Sequence, residues 1–117
     1  MKARLVRFGE IELDGHRYQR DVIIEGGHVS RRHKRASRPF RDRFGHTPLS
    51  LDEPIPWQCR RLIIGTGAEG GLPIMDDVRE QARKLGVDLI AVPTEEACRL
   101  LSGCDPADTA AILHVTC

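Results

Sequence analysis

Residues 61–92 constrain the fold more than any other stretch. Leu62-Ile63-Ile64 is a short apolar run without polar alternation, as a strand covered on both faces requires. A glycine-rich turn from Gly65 to Gly71 follows. Then Ile74, Val78, Ala82 and Leu85 recur at helical spacing on one stripe. Asp76 and Asp77 sit near the positive end of that helix and Arg83 and Lys84 near the negative end, and Gly86 is a stop signal. Val87 to Val92 is a second apolar run. Strand, helix and strand in this order make a βαβ unit, which predicts parallel strands and a right-handed crossover.

The flanking segments extend this pattern. Pro93 breaks the second strand, and Thr94 is read as the cap of a short helix whose Glu95 and Glu96 favour the dipole. Ala97, Cys98 and Leu101 form its inner face. Gly103 and Asp105-Pro106 end it, and Thr109 to Val115 is a last apolar strand. At the other end, Ile11 and Leu13 alternate with Glu10, Glu12 and Asp14, and Asp14-Gly15 is a tight-turn signal. Tyr18 and Asp21-Val22-Ile23-Ile24 then read as returning antiparallel strand. Residues 27–58 are rich in Gly, Pro, His and Arg and keep neither period, so they are expected to form a long irregular loop region.

The 117 residues are one domain's worth of chain, with a core large enough to need no staples. No apolar run approaches the roughly 18 residues of a membrane span. The N-terminus lacks the apolar stretch of a secretory signal and acquires acidic residues too early for an organelle-targeting peptide. A cytoplasmic protein is expected. Cys59, Cys98, Cys104 and Cys117 form no C-x-x-C pair, so neither a disulfide framework nor a zinc finger is written here.

The net charge of +1 conceals an uneven distribution. Arg31, Arg32, Lys34, Arg35, Arg38, Arg41 and Arg43 form a cationic run flanked by Phe40 and Phe44, and polyanion contact is its sharp reading. The bland reading is a solvated, self-repelling loop. Gly65-Thr66-Gly67-Ala68-Glu69-Gly70 matches G-x-G-x-x-G after a strand. However, Gly71 and Pro73 delay the helix, Asp88 stands at the wrong end of the second strand for a ribose contact, and no P-loop lysine follows. His28, His33 and His46 fit no standard ligand spacing, so neither metal nor cofactor is expected. On a strand, parity places His114 with Thr116 and opposite Cys117, which argues against a Cys–His nucleophile.

The Asp14-Gly15 turn, Asp21-Val22, Gly45-His46-Thr47-Pro48, Leu62-Ile63-Ile64-Gly65-Thr66-Gly67, Thr94-Glu95-Glu96-Ala97 and His114-Val115-Thr116-Cys117, in this order, resemble the Mth-like domain family. That resemblance covers nearly the whole chain. It implies an α/β fold of three layers: a mixed central sheet with the βαβ unit, helices on its faces, and an N-terminal antiparallel β portion. It also implies action through partners, in assembly or regulation, and it brings no reaction, cofactor or catalytic residue.

The expectation is therefore a non-enzymatic binding or assembly factor, monomeric or weakly dimeric, acting through a protein partner. The alternative is a small-ligand or anion binder, or an enzyme, using a cleft at Gly65, Thr66, Gly67, Thr94 and His114. A second alternative is nucleic-acid binding through the seven cations from Arg31 to Arg43.

Overall fold

A computed structural model describes residues 1–117. Three short antiparallel strands come first: β1 (Ala3–Arg7), β2 (Glu10–Leu13) and β3 (His16–Tyr18), with Asp14-Gly15 closing the β2–β3 hairpin. The larger sheet is mixed. Its strands are β4 (Val22–Glu25), β5 (His28–Arg31), β6 (Arg61–Thr66), β7 (Asp88–Val92) and β8 (Thr109–His114), in the order β5-β4-β8-β6-β7. Strand β6 runs parallel to both β7 and β8, whereas β4 is antiparallel to β5 and β8. Helix α2 (Asp76–Leu85) joins β6 to β7 as the βαβ pattern predicts, and α3 (Thr94–Ser102) carries the chain from β7 to β8.

Alternation along the central strands divides the apolar residues between two cores. Ile63 of β6 and Ala111 and Leu113 of β8 face one core, with Ile11, Leu13, Ala97, Cys98 and Leu101. That core is roofed by α3 and the small sheet. Leu62 and Ile64 of β6 and Ala110 and Ile112 of β8 face the other core, with Val78 and Ala82 of α2 and Leu49 and Ile55. The fold is thus the expected mixed α/β arrangement with helices on both faces of the central sheet and an antiparallel β portion. No helix is long and apolar enough to cross a membrane.

Two local readings need correction. The region 27–58 is more regular than its composition suggests. It contains β5, a 3-10 helix over Lys34–Phe40 and the single-turn helix α1 (Arg41–Phe44), and its one long stretch without helix or strand runs from Gly45 to Arg60. Within that remainder Leu49 makes a parallel bridge to Ile74. Period-based reading misses these pieces because short elements carry less than one full hydrophobic period. Thr94, moreover, does not cap α3. It is the first helical residue after Pro93, and no side chain caps this helix. Its hydroxyl is engaged across the sheet instead.

Candidate functional site

Arg32, the second residue of the cationic run, is buried. Its guanidinium forks onto Glu53, with Nε donating to Oε1 at 2.8 Å and Nη2 to Oε2 at 2.9 Å. Nη1 donates to Asp21 Oδ2 at 2.9 Å and Nη2 also to the Pro48 carbonyl at 3.2 Å. Ser37, on the 3-10 helix, donates to Glu53 and lies 2.6 Å from the Ser50 hydroxyl. Every buried side-chain nitrogen and oxygen has a partner. The pair ties the end of β5 to the start of β4 and to the segment before β6. It thereby pins the 3-10 helix and α1 beside the sheet. Burial alone would lower the Arg32 guanidinium, but Glu53 and Asp21 outweigh it and hold its pKa above the ordinary value.

The other side of Asp21 is taken by the last strand. Oδ1 accepts the Val115 amide at 2.9 Å, and Oδ2 lies 2.7 Å from His114 Nδ1. Burial pushes the Asp21 carboxyl up, yet the hydrogen bond and charge of His114, the Val115 amide and Arg32 together bring it down to about 2. A carboxylate can only accept, so Nδ1 carries the proton of this contact, and in the neutral form of the ring Nε2 is then the acceptor. Nε2 faces Cys117 Sγ at 3.3 Å and Thr116 Oγ1 at 3.2 Å, and His46 Nδ1 stands 3.8 Å from the same sulfur. The parity expectation for His114 and Cys117 therefore fails. β8 ends at His114, so the alternation of a strand does not extend to Cys117 and the thiol turns back onto the imidazole.

The glycine-rich turn is occupied by the chain itself. Ala68 N–H donates to the Thr116 carbonyl and Gly71 N–H to the Cys117 carbonyl, both at 2.9 Å, while Gly67 N–H donates to Thr94 Oγ1 at 2.8 Å. The Thr94 hydroxyl donates in turn to the His114 carbonyl. A Cβ at Gly67 would lie 2.3 Å from the Thr116 carbonyl oxygen, and one at Gly65 2.8 Å from Thr94 Oγ1. Gly65, Thr66, Gly67 and Thr94 thus form a clamp that holds residues 114–117. The Gly67, Ala68, Gly70 and Gly71 amides, which could otherwise cradle a phosphate, already have partners.

Of the five residues read as a ligand cleft, His114 lines a cavity beside the basic run. That cavity, of about 290 Å³, is lined by His114, Thr116, Cys117 and His46 together with Lys34, Arg38 and Arg41. Lys34 and Arg38 also line a neighbouring cavity of about 470 Å³, with Arg20, Arg31 and Arg35. Gly65, Thr66, Gly67 and Thr94 line neither. The surrounding cations are exposed and none is ion-paired, unlike Arg32. Arg43 lines neither cavity and lies over the Phe40 and Phe44 rings, 6.0 and 5.4 Å from their centroids. The glycine turn and the basic run, read as separate sites, therefore meet at His114.

Sequence reasoning missed Asp21, Ser37 and Glu53, and set Cys117 aside on strand parity. Asp21 had one signal, an acid immediately before the apolar run Val22-Ile23-Ile24. The partners of Glu53 and Ser37 are set by tertiary contact alone.

A family model described as a protein of unknown function, DUF498/DUF598, matches residues 4–102. The chain belongs to this family. Among solved structures it is similar to the hypothetical protein PH1505 of Pyrococcus horikoshii OT3, with 28% identity over 100% of both chains and a TM-score of 0.78. It is also similar to a protein designated MT938, with 25% identity over 95% of this chain and 94% of that one and a TM-score of 0.65. XCC1710 of Xanthomonas campestris shares the fold at 14% identity, with 98% and 86% coverage and a TM-score of 0.59. No curated protein matches the chain.

Proposed function

We propose that this DUF498/DUF598 protein binds a small anionic ligand in the cleft over His114 and Cys117, with Lys34, Arg38 and Arg41 as its recognising wall. The observation that carries the reading is the convergence of three exposed, unpaired cations on one cavity. Its position agrees with the rule that open α/β sheets take ligands beyond the carboxyl ends of their parallel strands. Here those ends are Thr66 of β6 and His114 of β8. Calorimetric titration with inorganic phosphate and with small di- and tricarboxylates tests it. Binding that Arg38→Glu removes and Arg79→Glu on α2 leaves intact is expected. Equal affinity in both variants, or no affinity for any of these anions, would sink the reading.

A protein partner is the second reading, in keeping with an Mth-like assembly factor of the cytoplasm. It draws support from Arg43 stacked on Phe40 and Phe44 beside the cleft, an aromatic and cationic patch suited to an acidic partner segment. Co-purification of one stoichiometric partner from the native cell, abolished by Phe44→Ser with Arg43→Glu, is the expected result.

A further inference from the structure

We propose that Cys117 is a nucleophilic thiol that exchanges with low-molecular-weight disulfides carrying carboxylates, and so becomes reversibly capped within the cleft. The carboxylate preference rests on the anion-binding reading above; the nucleophile does not. Three observations converge. His114 Nε2 faces Cys117 Sγ at 3.3 Å, and its other nitrogen is held by Asp21 at 2.7 Å. A nucleophile, a base within reach and a third group orienting that base is the arrangement that activates a thiol. Asp21 is itself fixed by Arg32 and the Val115 amide, so the imidazole has a rigid support. Finally, Cys117 lines the same cavity of about 290 Å³ as Lys34, Arg38 and Arg41, a volume that admits a small reagent.

The step balances without any further reagent. The Cys117 thiol passes its proton to His114 Nε2, and the sulfur attacks one sulfur of the incoming disulfide. The reagent's S–S bond breaks and its departing thiolate takes the proton from the imidazolium. Cys117 is oxidised to a mixed disulfide while one half of the reagent is reduced to a thiol. The other thiols are engaged elsewhere. Cys98 lies in the core, Cys59 donates to the Pro56 carbonyl at 3.4 Å, and Cys104 accepts from Arg61 at 3.5 Å. None is placed to resolve the mixed disulfide, so the capped form accumulates until an external thiol removes it. Disulfide exchange needs no oxyanion hole, and the nearby turn amides of Gly67, Ala68 and Gly71 are already engaged.

The test uses the native protein with three reagents and mass-spectrometric peptide mapping. Iodoacetamide, which is neutral, reads the nucleophile alone. Dithiodipropionate and cystamine are matched in size and opposite in charge, so their ratio reads the wall. Cys117 is expected to alkylate before Cys59, Cys98 and Cys104 within the same molecules, a comparison that needs no variant. His114→Asn keeps a donor toward Asp21 but removes the base, and should slow Cys117 alkylation by about tenfold or more. Dithiodipropionate should cap Cys117 about tenfold faster than cystamine, and high salt should narrow that gap. If Cys117 alkylates no faster than Cys59 and Cys104, the nucleophile is overturned whatever the cleft binds. If it alkylates fast but the two disulfides react equally, the carboxylate preference is overturned together with the anion-binding reading.

Discussion

Asp21 and Arg32 stand eleven residues apart in the chain and meet in a 2.9 Å ion pair almost wholly removed from water. Each has a second obligation: Asp21 to His114 and Val115, Arg32 to Glu53. Removing either partner strands a buried charge, which in other proteins costs about 3–5 kcal/mol. Arg32→Ala should therefore lower unfolding free energy by several kcal/mol in urea titration, whereas Arg35→Ala, three positions on and exposed, should change it by less than about 0.5 kcal/mol. Arg32→Lys should not restore stability, because an ammonium cannot fork onto Glu53 while reaching Asp21. Equal effects at Arg32 and Arg35 would contradict the buried pairing.

The contacts of Asp21 with His114, the Val115 amide and Arg32 together outweigh its burial and set an acid limit. The Asp21 carboxyl titrates near its ordinary value of 3.8 when unfolded and at about 2 when folded, so the native state binds the proton less readily. Its contribution is complete above about pH 4 and disappears as the pH falls through 2. Its size is on the order of 2 kcal/mol. Unfolding free energy measured between pH 4.5 and 2 should fall with pH, and Asp21→Asn should be less stable at pH 4.5 yet flatter over that window.

The contrast between the two parts of this site explains how much of it the chain displays in one dimension. The central sheet is legible because Leu62, Ile63 and Ile64 need only their immediate neighbours to announce a strand with both faces covered. The helix α2 is legible because its apolar stripe repeats locally. The buried network has no such periodicity. Asp21 reaches Arg32, Val115 and His114 at separations of 11, 94 and 93 residues, and Arg32 reaches Glu53 at 21. Nothing in the run Arg31-Arg32 tells which arginine turns inward. Only the position of Glu53 and the Pro48 carbonyl decides it. Cys117 was hidden for a different reason: the rule used to place it holds inside a strand, and it lies beyond the end of one.

Thr94 offers a test of the clamp that leaves volume nearly constant. Its hydroxyl accepts from Gly67 N–H and donates to the His114 carbonyl, and the residue is fully buried. Thr94→Val should cost about 2–3 kcal/mol, because one donor and one acceptor are left without partners in the interior. Thr94→Ser keeps both bonds and should lose only a fraction of that. If Val and Ser were equally tolerated by thermal unfolding, the hydroxyl would not be what joins the turn to β8.

Two glycines with left-handed backbones separate strain from close approach. Gly86 ends α2 at φ +69 with open space where a side chain would project, so Gly86→Ala should cost only the conformational penalty, about 1 kcal/mol. Gly67, at φ +110, carries the same kind of penalty, and its new methyl would also lie 2.3 Å from the Thr116 carbonyl oxygen and 2.6 Å from the Cys117 carbonyl carbon. Those are backbone atoms held by Ala68 and Gly71, so they can retreat only by releasing the segment after β8. Gly67→Ala should therefore cost distinctly more than Gly86→Ala in urea titration, and it should loosen residues 115–117 ahead of the sheet. Hydrogen exchange resolves the second effect: faster exchange of the Ala68 and Gly71 amides with unchanged protection in β6 is expected. A Gly67→Ala variant that exchanges and unfolds like Gly86→Ala would show that the turn does not hold the end of β8.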